Sequence, residues 1–352
     1  MIPYKGFISF ILTITSTVRV DFDILPVYPA CIIRLWAKRT DMDKHPAQKK
    51  PKLIVICGPT GIGKTSTAIE VARANNGEII GADSMQIYRY MDIGTAKPSP
   101  DEQRQVTHHM IDIVDPDAKF DVARFASLAR QHVTCLHDRG ITPFVVGGTG
   151  LYIKSLLYGI YPSELVDPEV RGRLKKEAAE HGIHWLFQRL KQCDPLTAQR
   201  LHPNDTYRIM RALETYEVTG KPISEYQKTH GFSDQPYETL KIGLNMDRAL
   251  LYERINKRVD MMIAAGFVDE VRKLLDLGYA GALKSMQSIG YRHMVDYIEG
   301  RLGWEDCLRT LKRDHRRYAK RQLTWFGADS EIIWKEPKQV KEIMRVVREF
   351  LK

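Results

Sequence analysis

Short apolar runs alternate with segments of helical spacing through the first half of this chain. Leu53–Cys57 reads LIVIC, a β-branched run, and apolar side chains then recur at helical spacing between Thr65 and Asn75. The other strand-like runs are Glu78–Ala82, Met110–Val114 and Thr142–Val146, and an amphipathic helix is predicted over Val122–His137. Alternating strands and helices indicate an α/β fold, a doubly wound parallel sheet with right-handed crossovers and helices on its faces.

The character of the sequence changes after Tyr161. Up to about residue 235 the pattern is helical and charged, as in RGRLKKEAAEHG and IMRALETYEVTG. The run Leu240–Asn245 is strand-like again and is expected to return the chain to the sheet, with helices after it. We therefore predict a core formed by residues 51–160 and 236–352, interrupted by a helical insertion domain over residues 161–235.

The first 50 residues differ from the rest of the chain. The apolar stretch Phe7–Val18 is too short to span a bilayer, and no convincing small-residue cleavage site follows it. Met42 begins a charged lead-in to the first predicted strand. We interpret residues 1–50 as an extension outside the fold, and we expect a chain that starts at Met42 to keep its stability and activity.

A glycine-rich turn directly follows the first predicted strand and opens the first predicted helix. It reads GPTGIGKT, which fulfils every position of the P-loop pattern GxxxxGK[ST]. Backbone N–H groups of such a turn converge on phosphate oxygens, and the lysine adds a point charge. The predicted polyphosphate site consists of Gly58, Pro59, Thr60, Gly61, Ile62, Gly63, Lys64 and Thr65, with the Thr65 hydroxyl placed to bind Mg²⁺. We therefore expect a P-loop NTPase-like sheet.

A P-loop shows only that a polyphosphate binds. P-loop hydrolases hold Mg²⁺ with a carboxylate at the end of a buried strand. Here the corresponding run ITPFVV leads into Gly147, Gly148, Thr149 and Gly150, without a carboxylate. This difference suggests that the bound diphosphate is the leaving group of a molecule other than a nucleotide.

Asp83 and Gln86 follow the second predicted strand in the segment DSMQ. The carboxyl ends of parallel strands are where ligands bind in such sheets, so Asp83 can reach the site. It can equally cap the turn that begins at Ser84. The Gln86 amide has the donor and acceptor needed to read the edge of an adenine.

Charge favours a polyanionic partner. The formal net charge is +10 and the pI is about 9.2. The densest basic run, KRDHRRYAKR from Lys312 to Arg321, is followed by Trp325 and Phe326. It is either a solvated helix face or a nucleic-acid surface. The five cysteines stand singly, without a CxxC pair, which gives no sign of a zinc site and favours a cytoplasmic location.

Four motifs together resemble one family. GPTGIGKT, GADSMQIYRYMDIGTAKP, GGTGLYIKSLLYG and AQRLHPNDTYRIMRALE occur in the order typical of bacterial-type tRNA dimethylallyltransferases, and the resemblance covers roughly residues 52 to 330. It implies that the P-loop binds dimethylallyl diphosphate with Mg²⁺. It also implies transfer of the dimethylallyl group to N6 of the adenosine 3′ of the tRNA anticodon, by a cytoplasmic monomer. The zinc finger of eukaryotic members has no counterpart in the spacing of this chain.

The resemblance also assigns roles to individual residues. It implies that Asp83 is the general base for the adenine amine, that the Thr149 hydroxyl lies near the scissile bond, and that Arg248, and less directly Arg254, lies on the diphosphate side. The residues alone leave Thr149 open as the N-cap of a helix Leu151–Tyr158, and the arginines open as solvated. The implied tRNA contacts are Asp83, Ser84, Met85, Gln86, Thr149, Arg171, Gln199, Arg200, Leu201, His202, Pro203, Gln287, Ser288, Ile289, Gly290, Tyr291, Arg292, Lys320, Arg321, Gln322, Leu323, Thr324, Trp325, Phe326 and Gly327.

Other functions stay possible on the sequence. A nucleoside or small-molecule kinase shares the P-loop, and its lid could be the helical insertion. An isopentenyltransferase acting on free AMP or ATP is a closer alternative, although the basic run and the long insertion favour tRNA. A non-enzymatic RNA-binding protein is disfavoured because Lys64 and Thr65 are both present.

Overall fold

A computed structural model describes residues 50–159, 167–230 and 234–352. Within these ranges the sheet has six parallel strands in the order β3-β2-β4-β1-β5-β6. The strands are β1 (Lys52–Cys57), β2 (Gly77–Ala82), β3 (His108–His109), β4 (Thr142–Gly147), β5 (Glu238–Leu244) and β6 (Ile333–Lys335). The predicted parallel α/β sheet is confirmed, and the predicted extension over residues 1–50 lies outside the described residues except for Lys50.

The helices follow in chain order. They are α1 (Lys64–Arg73), α2 (Pro100–Gln105), α3 (Val122–Asp138), α4 (Gly150–Tyr158), α5 (Pro168–His181), α6 (Ile183–Cys193), α7 (Pro195–Arg200), α8 (Thr206–Thr219), α9 (Ile223–His230), α10 (Arg248–Ala264), α11 (Phe267–Asp276), α12 (Tyr291–Ile298), α13 (Trp304–Gly327) and α14 (Val340–Leu351). None of these is both long and apolar enough to cross a membrane.

The central strand β1 is buried on both faces, which explains its uninterrupted apolar run. Leu53 and Val55 belong to the hydrophobic cluster that contains α3 and α4, whereas Ile54 and Ile56 belong to the cluster that contains α1 and α14. Successive side chains of a strand point to opposite faces, so one run supplies both clusters. The sheet thereby holds the turn after β1, the P-loop, between two packed layers.

The structure differs from the predicted strands in two places. Met110–Val114 is not a strand, because Met110 and Asp112 have φ values of 64° and 54°, outside the extended region. The ladder at this edge is instead the two-residue β3, and Val114 forms only an isolated bridge with Tyr88. Conversely, the edge strand β6 was not predicted, since three mostly exposed residues carry no alternation to detect.

Helices α5 to α9 bury a hydrophobic cluster of their own. Its centre is Leu174, Leu186, Leu190, Ile209 and Leu213, each at most 1% exposed. Charged pairs close its surface, among them Arg189 with Glu177 and Glu217. This segment corresponds to the predicted helical insertion, whose first residues, 161–166, lie outside the described ranges.

Candidate active site

The P-loop joins β1 to α1 and presents Lys64 as the first residue of the helix. The Lys64 ammonium donates a hydrogen bond to the Pro59 carbonyl at 2.8 Å, within the same loop. Burial lowers the pKa of Lys64 to about 8, while the negative charge of Asp83 acts in the opposite direction. Thr65 follows in the first turn, with its hydroxyl at the helix end that attracts anions. The loop is therefore a cationic cradle for phosphate groups.

Thr65 is suited to a magnesium ion that is shared with a substrate. A P-loop needs one protein hydroxyl for Mg²⁺, because phosphate oxygens and water supply the other ligands. In the part of the chain that the structure describes, no group of three or more His, Cys, Asp or Glu side chains is arranged to hold a metal ion. The Thr65 hydroxyl is thus the protein ligand that the P-loop offers to Mg²⁺.

Asp83 lies at the carboxyl end of β2, where it caps the following turn and lies near cationic side chains of the P-loop region. Its Oδ1 accepts a hydrogen bond from the Met85 N–H at 2.9 Å, so it caps the following turn. Its charge also raises the pKa values of Lys64 and Arg258, against the larger effect of burial. The carboxylate is therefore near the cationic end of the P-loop while it holds the turn.

Thr149 follows β4 and bonds the turn after the neighbouring strand β2. Its Oγ1 accepts a hydrogen bond from the Ser84 N–H at 3.1 Å, whereas as N-cap residue of α4 its side chain forms no capping bond. Tyr318 of α13 hydrogen-bonds to the same hydroxyl, and burial raises the pKa of this tyrosine to about 12. Thr149 is therefore the N-cap residue of α4, as one interpretation expected, but its hydroxyl bonds the Asp83 turn and not the helix.

Arg258 is a site residue that the sequence did not reveal. Its guanidinium donates to Thr60 Oγ1 at 3.0 Å and to the Thr95 carbonyl at 3.4 Å, and burial lowers its pKa. Arg254, one helical turn earlier, lies 3.4 Å from the point that a Cβ on Gly63 would occupy. The four-residue spacing in α10 places both arginines on the face turned to the P-loop. This four-residue spacing is the feature of the sequence from which Arg258 could have been identified together with Arg254.

The structure does not bring Arg248 to these groups. It lies exposed at the start of α10, donates from Nε to the Tyr252 hydroxyl at 3.1 Å and stacks on the Tyr252 ring. Arg248 precedes Arg254 by six positions, which is not a whole number of helical turns, so the two side chains lie on different faces of the helix. Of the two arginines expected on the diphosphate side, the structure places Arg254 beside the P-loop, together with Arg258, whereas Arg248 bonds Tyr252.

The glycines of GGTG allow α13 to approach this site closely. A Cβ on Gly148 would lie 2.2 Å from Gln322 Nε2, and one on Gly150 would lie 2.1 Å from Trp325 Nε1. The Gln322 amide donates to the Gly148 carbonyl at 2.8 Å and accepts from the Thr60 N–H at 2.8 Å. Gln322 therefore links the P-loop to the turn after β4.

A cavity of about 1110 Å³ extends from this junction between α4 and α13. Its floor includes Cys57 at the end of β1, together with Ile153 and Leu157 of α4. One wall is an exposed stripe of α13, which we call the α13 stripe, formed by Arg317, Lys320, Arg321, Thr324 and Trp325. Arg208 of α8 also lines the cavity. Lys241, Asp329 and Glu331 also line the cavity, and the lysine pairs with both carboxylates. The exposed cationic and aromatic side chains therefore lie mainly on the α13 side, the type of surface on which an unstacked nucleobase and its phosphates can bind.

Several side chains expected to contact tRNA have other roles in the structure. Tyr291, Gln322 and Phe326 are buried, and the Gln86 amide donates to the Thr95 and Ala96 carbonyls at 3.3 and 3.1 Å. The stretch from Gln287 to Arg292 is largely internal: Gln287 bonds the Gly281 carbonyl and Arg292 pairs with Asp314, while Ser288, Ile289 and Gly290 are buried or half-buried.

In the helical segment, Gln199, Arg200 and His202 are exposed, and Leu201 and Pro203 are half-buried. His202 Nδ1 accepts from the Asn204 N–H, and Arg171 pairs with the buried Glu214. Leu323 and the exposed Gly327 adjoin the α13 stripe. Of the expected tRNA contacts, Gln199, Arg200, His202, Gln287, Gly327 and the α13 stripe are thus exposed.

The fold and site define a P-loop protein of the α/β class with a large cavity between α4 and α13. The family model for IPP transferase matches residues 86–329, and the model for isopentenyl transferase matches residues 51–114. The chain is 51% identical over 304 residues to the tRNA dimethylallyltransferase of Desulfosudis oleivorans, covering 86% of this chain and 97% of the relative. It is 48% identical to the tRNA dimethylallyltransferase of Geobacter sulfurreducens, at 86% and 98% coverage.

Comparison with solved structures supports the same family. The tRNA isopentenylpyrophosphate transferase of Bacillus halodurans is 42% identical with a TM-score of 0.65, covering 86% of this chain and 97% of that one. A eukaryotic dimethylallyltransferase described as acting on tRNA is 29% identical with a TM-score of 0.70, at 82% and 74% coverage. This chain belongs to the IPP transferase family.

Proposed function

We propose that this protein transfers the dimethylallyl group of dimethylallyl diphosphate to N6 of the adenosine that lies 3′ of the anticodon in tRNA. The observation that carries the proposal is the lining of the cavity. It includes Cys57, the residue before the P-loop, Gly150, the residue after Thr149, and the α13 stripe. We infer that a diphosphate in the P-loop and an extruded base in the cavity approach each other near Asp83.

The chemistry requires little from the protein beyond charge and position. The adenine N6 attacks C1 of the dimethylallyl group while the C1–O bond breaks and diphosphate departs into the P-loop. The proton lost from N6 passes to the Asp83 carboxylate, a general base worth about a hundred to ten thousandfold in rate. Lys64, Arg258 and the loop N–H groups stabilise the charge that develops on the leaving oxygen.

Magnesium fits this scheme as a companion of the diphosphate. Thr65 would hold it together with substrate oxygens, and it would neutralise leaving-group charge. The remaining steps belong to the protein: Thr149 and Tyr318 fix the turn that carries Asp83, and the apolar floor of the cavity excludes water from the prenyl group.

The tRNA is proposed to bind along the α13 stripe and the exposed part of the helical insertion. Extruding a base from a single-stranded loop costs a few kcal/mol, which stacking and phosphate contacts can offset. Trp325 is 41% exposed, and Arg317, Lys320 and Arg321 surround it. A free nucleotide would leave this surface unused, which favours tRNA over AMP as acceptor. We place the reaction in the cytoplasm, with the protein acting as a monomer.

A direct assay tests the proposal. The protein is incubated with dimethylallyl diphosphate and Mg²⁺, and with unmodified tRNA, AMP or ATP as acceptor, and digested products are analysed for N6-dimethylallyladenosine by mass spectrometry. Product is expected from tRNA, at the anticodon-adjacent position. Product from AMP or ATP with none from tRNA would overturn the choice of acceptor, and ATP-dependent phosphorylation would favour a kinase instead.

A further inference from the structure

Glu270 of α11 gathers four hydrogen bonds on one carboxylate, and none of them comes from the P-loop. Three successive backbone N–H groups donate to it, those of Asp92 at 3.0 Å, Ile93 at 2.7 Å and Gly94 at 3.1 Å. The Tyr291 hydroxyl donates at 2.6 Å. A run of N–H groups converging on one anion holds a backbone segment in a single conformation.

The segment that Glu270 holds continues directly into the active site. The Thr95 carbonyl, one residue beyond Gly94, accepts hydrogen bonds from the Arg258 guanidinium and from the Gln86 amide. Arg258 in turn donates to Thr60 of the P-loop. The position of one carbonyl oxygen therefore helps to orient a diphosphate-side arginine and a side chain of the DSMQ turn.

We propose that Glu270 is a positioning residue for the transfer reaction: by binding the N–H groups of residues 92–94 it fixes the Thr95 carbonyl, and thereby orients Arg258 towards the P-loop. The proposal rests on the P-loop being the diphosphate site. Glu270 touches no reacting atom in this arrangement, and it acts through Arg258.

The surroundings of Glu270 leave the segment little freedom. A Cβ on Gly94 would lie 2.2 Å from the Phe267 ring and 2.6 Å from the Tyr291 ring, so the backbone packs directly on both aromatic side chains. Tyr291 is fully buried, and burial together with the Glu270 charge raises its pKa well above 10, so it remains a donor. Tyr90 and Ala96, at φ 64° and 45°, keep conformations that non-glycine residues seldom adopt unless their surroundings impose them.

A second anchor holds the far end of the segment. Lys97, whose side chain is 4% exposed, bonds the carboxylates of Asp92 and Asp112 and the Tyr88 carbonyl at 2.9 Å. Because Lys97 ties the segment to the β3 side of the sheet, loss of Glu270 should loosen residues 92–95 without releasing the whole loop. This makes a functional effect separable from unfolding.

The test is a double-mutant cycle read by calorimetric binding of inorganic pyrophosphate with Mg²⁺. Glu270→Gln keeps the side-chain shape but removes the charge, and it should weaken pyrophosphate binding about tenfold, the effect of one misdirected charged hydrogen bond. When Arg258 is already replaced by Gln, Glu270→Gln should change pyrophosphate binding less than about twofold. Glu270 is proposed to act through Arg258, so the effects of the two substitutions should not add. Equal losses in both backgrounds, or no loss in the parent, would overturn the proposal.

Two further variants complete the cycle. Asp269→Asn, next to Glu270 on α11 and paired with the exposed Arg272, should bind pyrophosphate like the parent. Tyr291→Phe removes the hydroxyl that bonds Glu270 and the Gly94 backbone, and it should weaken binding about threefold, again only when Arg258 is present. It keeps the proposal testable if Glu270→Gln does not fold. Because pyrophosphate binding needs no tRNA, a protein that binds it but prenylates no tRNA would refute the proposed function and leave this test intact.

Discussion

Two cationic regions serve this site, and they are built in opposite ways. Around the P-loop there are two buried cations, Lys64 and Arg258. Hydrogen bonds orient both of them, from Lys64 to Pro59 and from Arg258 to Thr60 and Thr95. On the α13 stripe, Arg317, Lys320 and Arg321 are exposed, with Arg321 over the Tyr318 ring. Buried, oriented charges recognise one small group strongly, whereas exposed charges supply screened attraction to a long polyanion.

The basic run that contains the stripe is itself divided. Lys312 pairs with Asp260 and Arg313 pairs with Asp314, so the first part of the run is largely neutralised within the protein. Arg316 bonds Asn256 of α10. The basic residues of this run that line the cavity are Arg317, which also lies 3.9 Å from Asp314, Lys320 and Arg321. The proposed tRNA surface therefore contains fewer cations than the run as a whole.

The largest effect is expected from removing the buried cation. Lys64→Ala should lower kcat/KM for dimethylallyl diphosphate about a thousandfold, because a preorganised charge acts on the leaving group in a water-poor site. The pKa of Lys64 is about 8, so raising the pH through 8 neutralises the amine and should weaken pyrophosphate binding by the parent. The variant should lack this fall. Steady-state kinetics measures the loss of kcat/KM, and calorimetry from about pH 6.5 to about 9.5 measures the fall in pyrophosphate binding. A Lys64→Ala enzyme with near-parent kinetics would contradict the role of the buried cation.

A smaller but specific effect is expected at Asp83. Asp83→Ala should reduce kcat about a hundredfold with little change in pyrophosphate affinity, and it should also cost about 1 kcal/mol of stability because the Met85 N–H loses its acceptor. Asp83→Asn provides the matched control, since its amide oxygen can still accept that bond. It should lose as much activity and keep the parent melting temperature. A fully active Asp83→Asn enzyme would remove Asp83 as proton acceptor.

The smallest effect per residue is expected on the α13 stripe. Arg317→Gln, Lys320→Gln and Arg321→Gln together should weaken tRNA binding and lower the slope of log affinity against log salt by about 2, since each single-strand phosphate contact contributes about 0.7. KM for dimethylallyl diphosphate should stay unchanged. Lys312→Gln with Arg313→Gln is the control on the same helix. If it alters the salt slope as much as the stripe does, the stripe has no special role.

The sequence predicted what depends on local pattern. The strands β1, β2, β4 and β5 are apolar runs and the P-loop is a contiguous motif, so both could be found without tertiary information. Arg258 could not be identified from composition, because its importance comes from burial against Thr60 and Thr95. Gln322 and Tyr291 were assigned to tRNA because a sequence does not reveal which face of a helix turns inwards. The strand at Met110–Val114 was wrong since left-handed residues interrupt an apolar run.

The strand order has a consequence for how the protein is made. Strand β1 pairs with β4 on one side and with β5 on the other, from Lys52↔Glu238 to Cys57↔Gly243. On the ribosome, β5 emerges only after the whole helical insertion, so one edge of the P-loop strand stays open through much of synthesis. Non-local pairing of this kind forms slowly, and an open apolar edge invites association with other chains. Nascent chains halted before residue 238 should therefore depend on chaperones, even though every residue of the P-loop has already been translated.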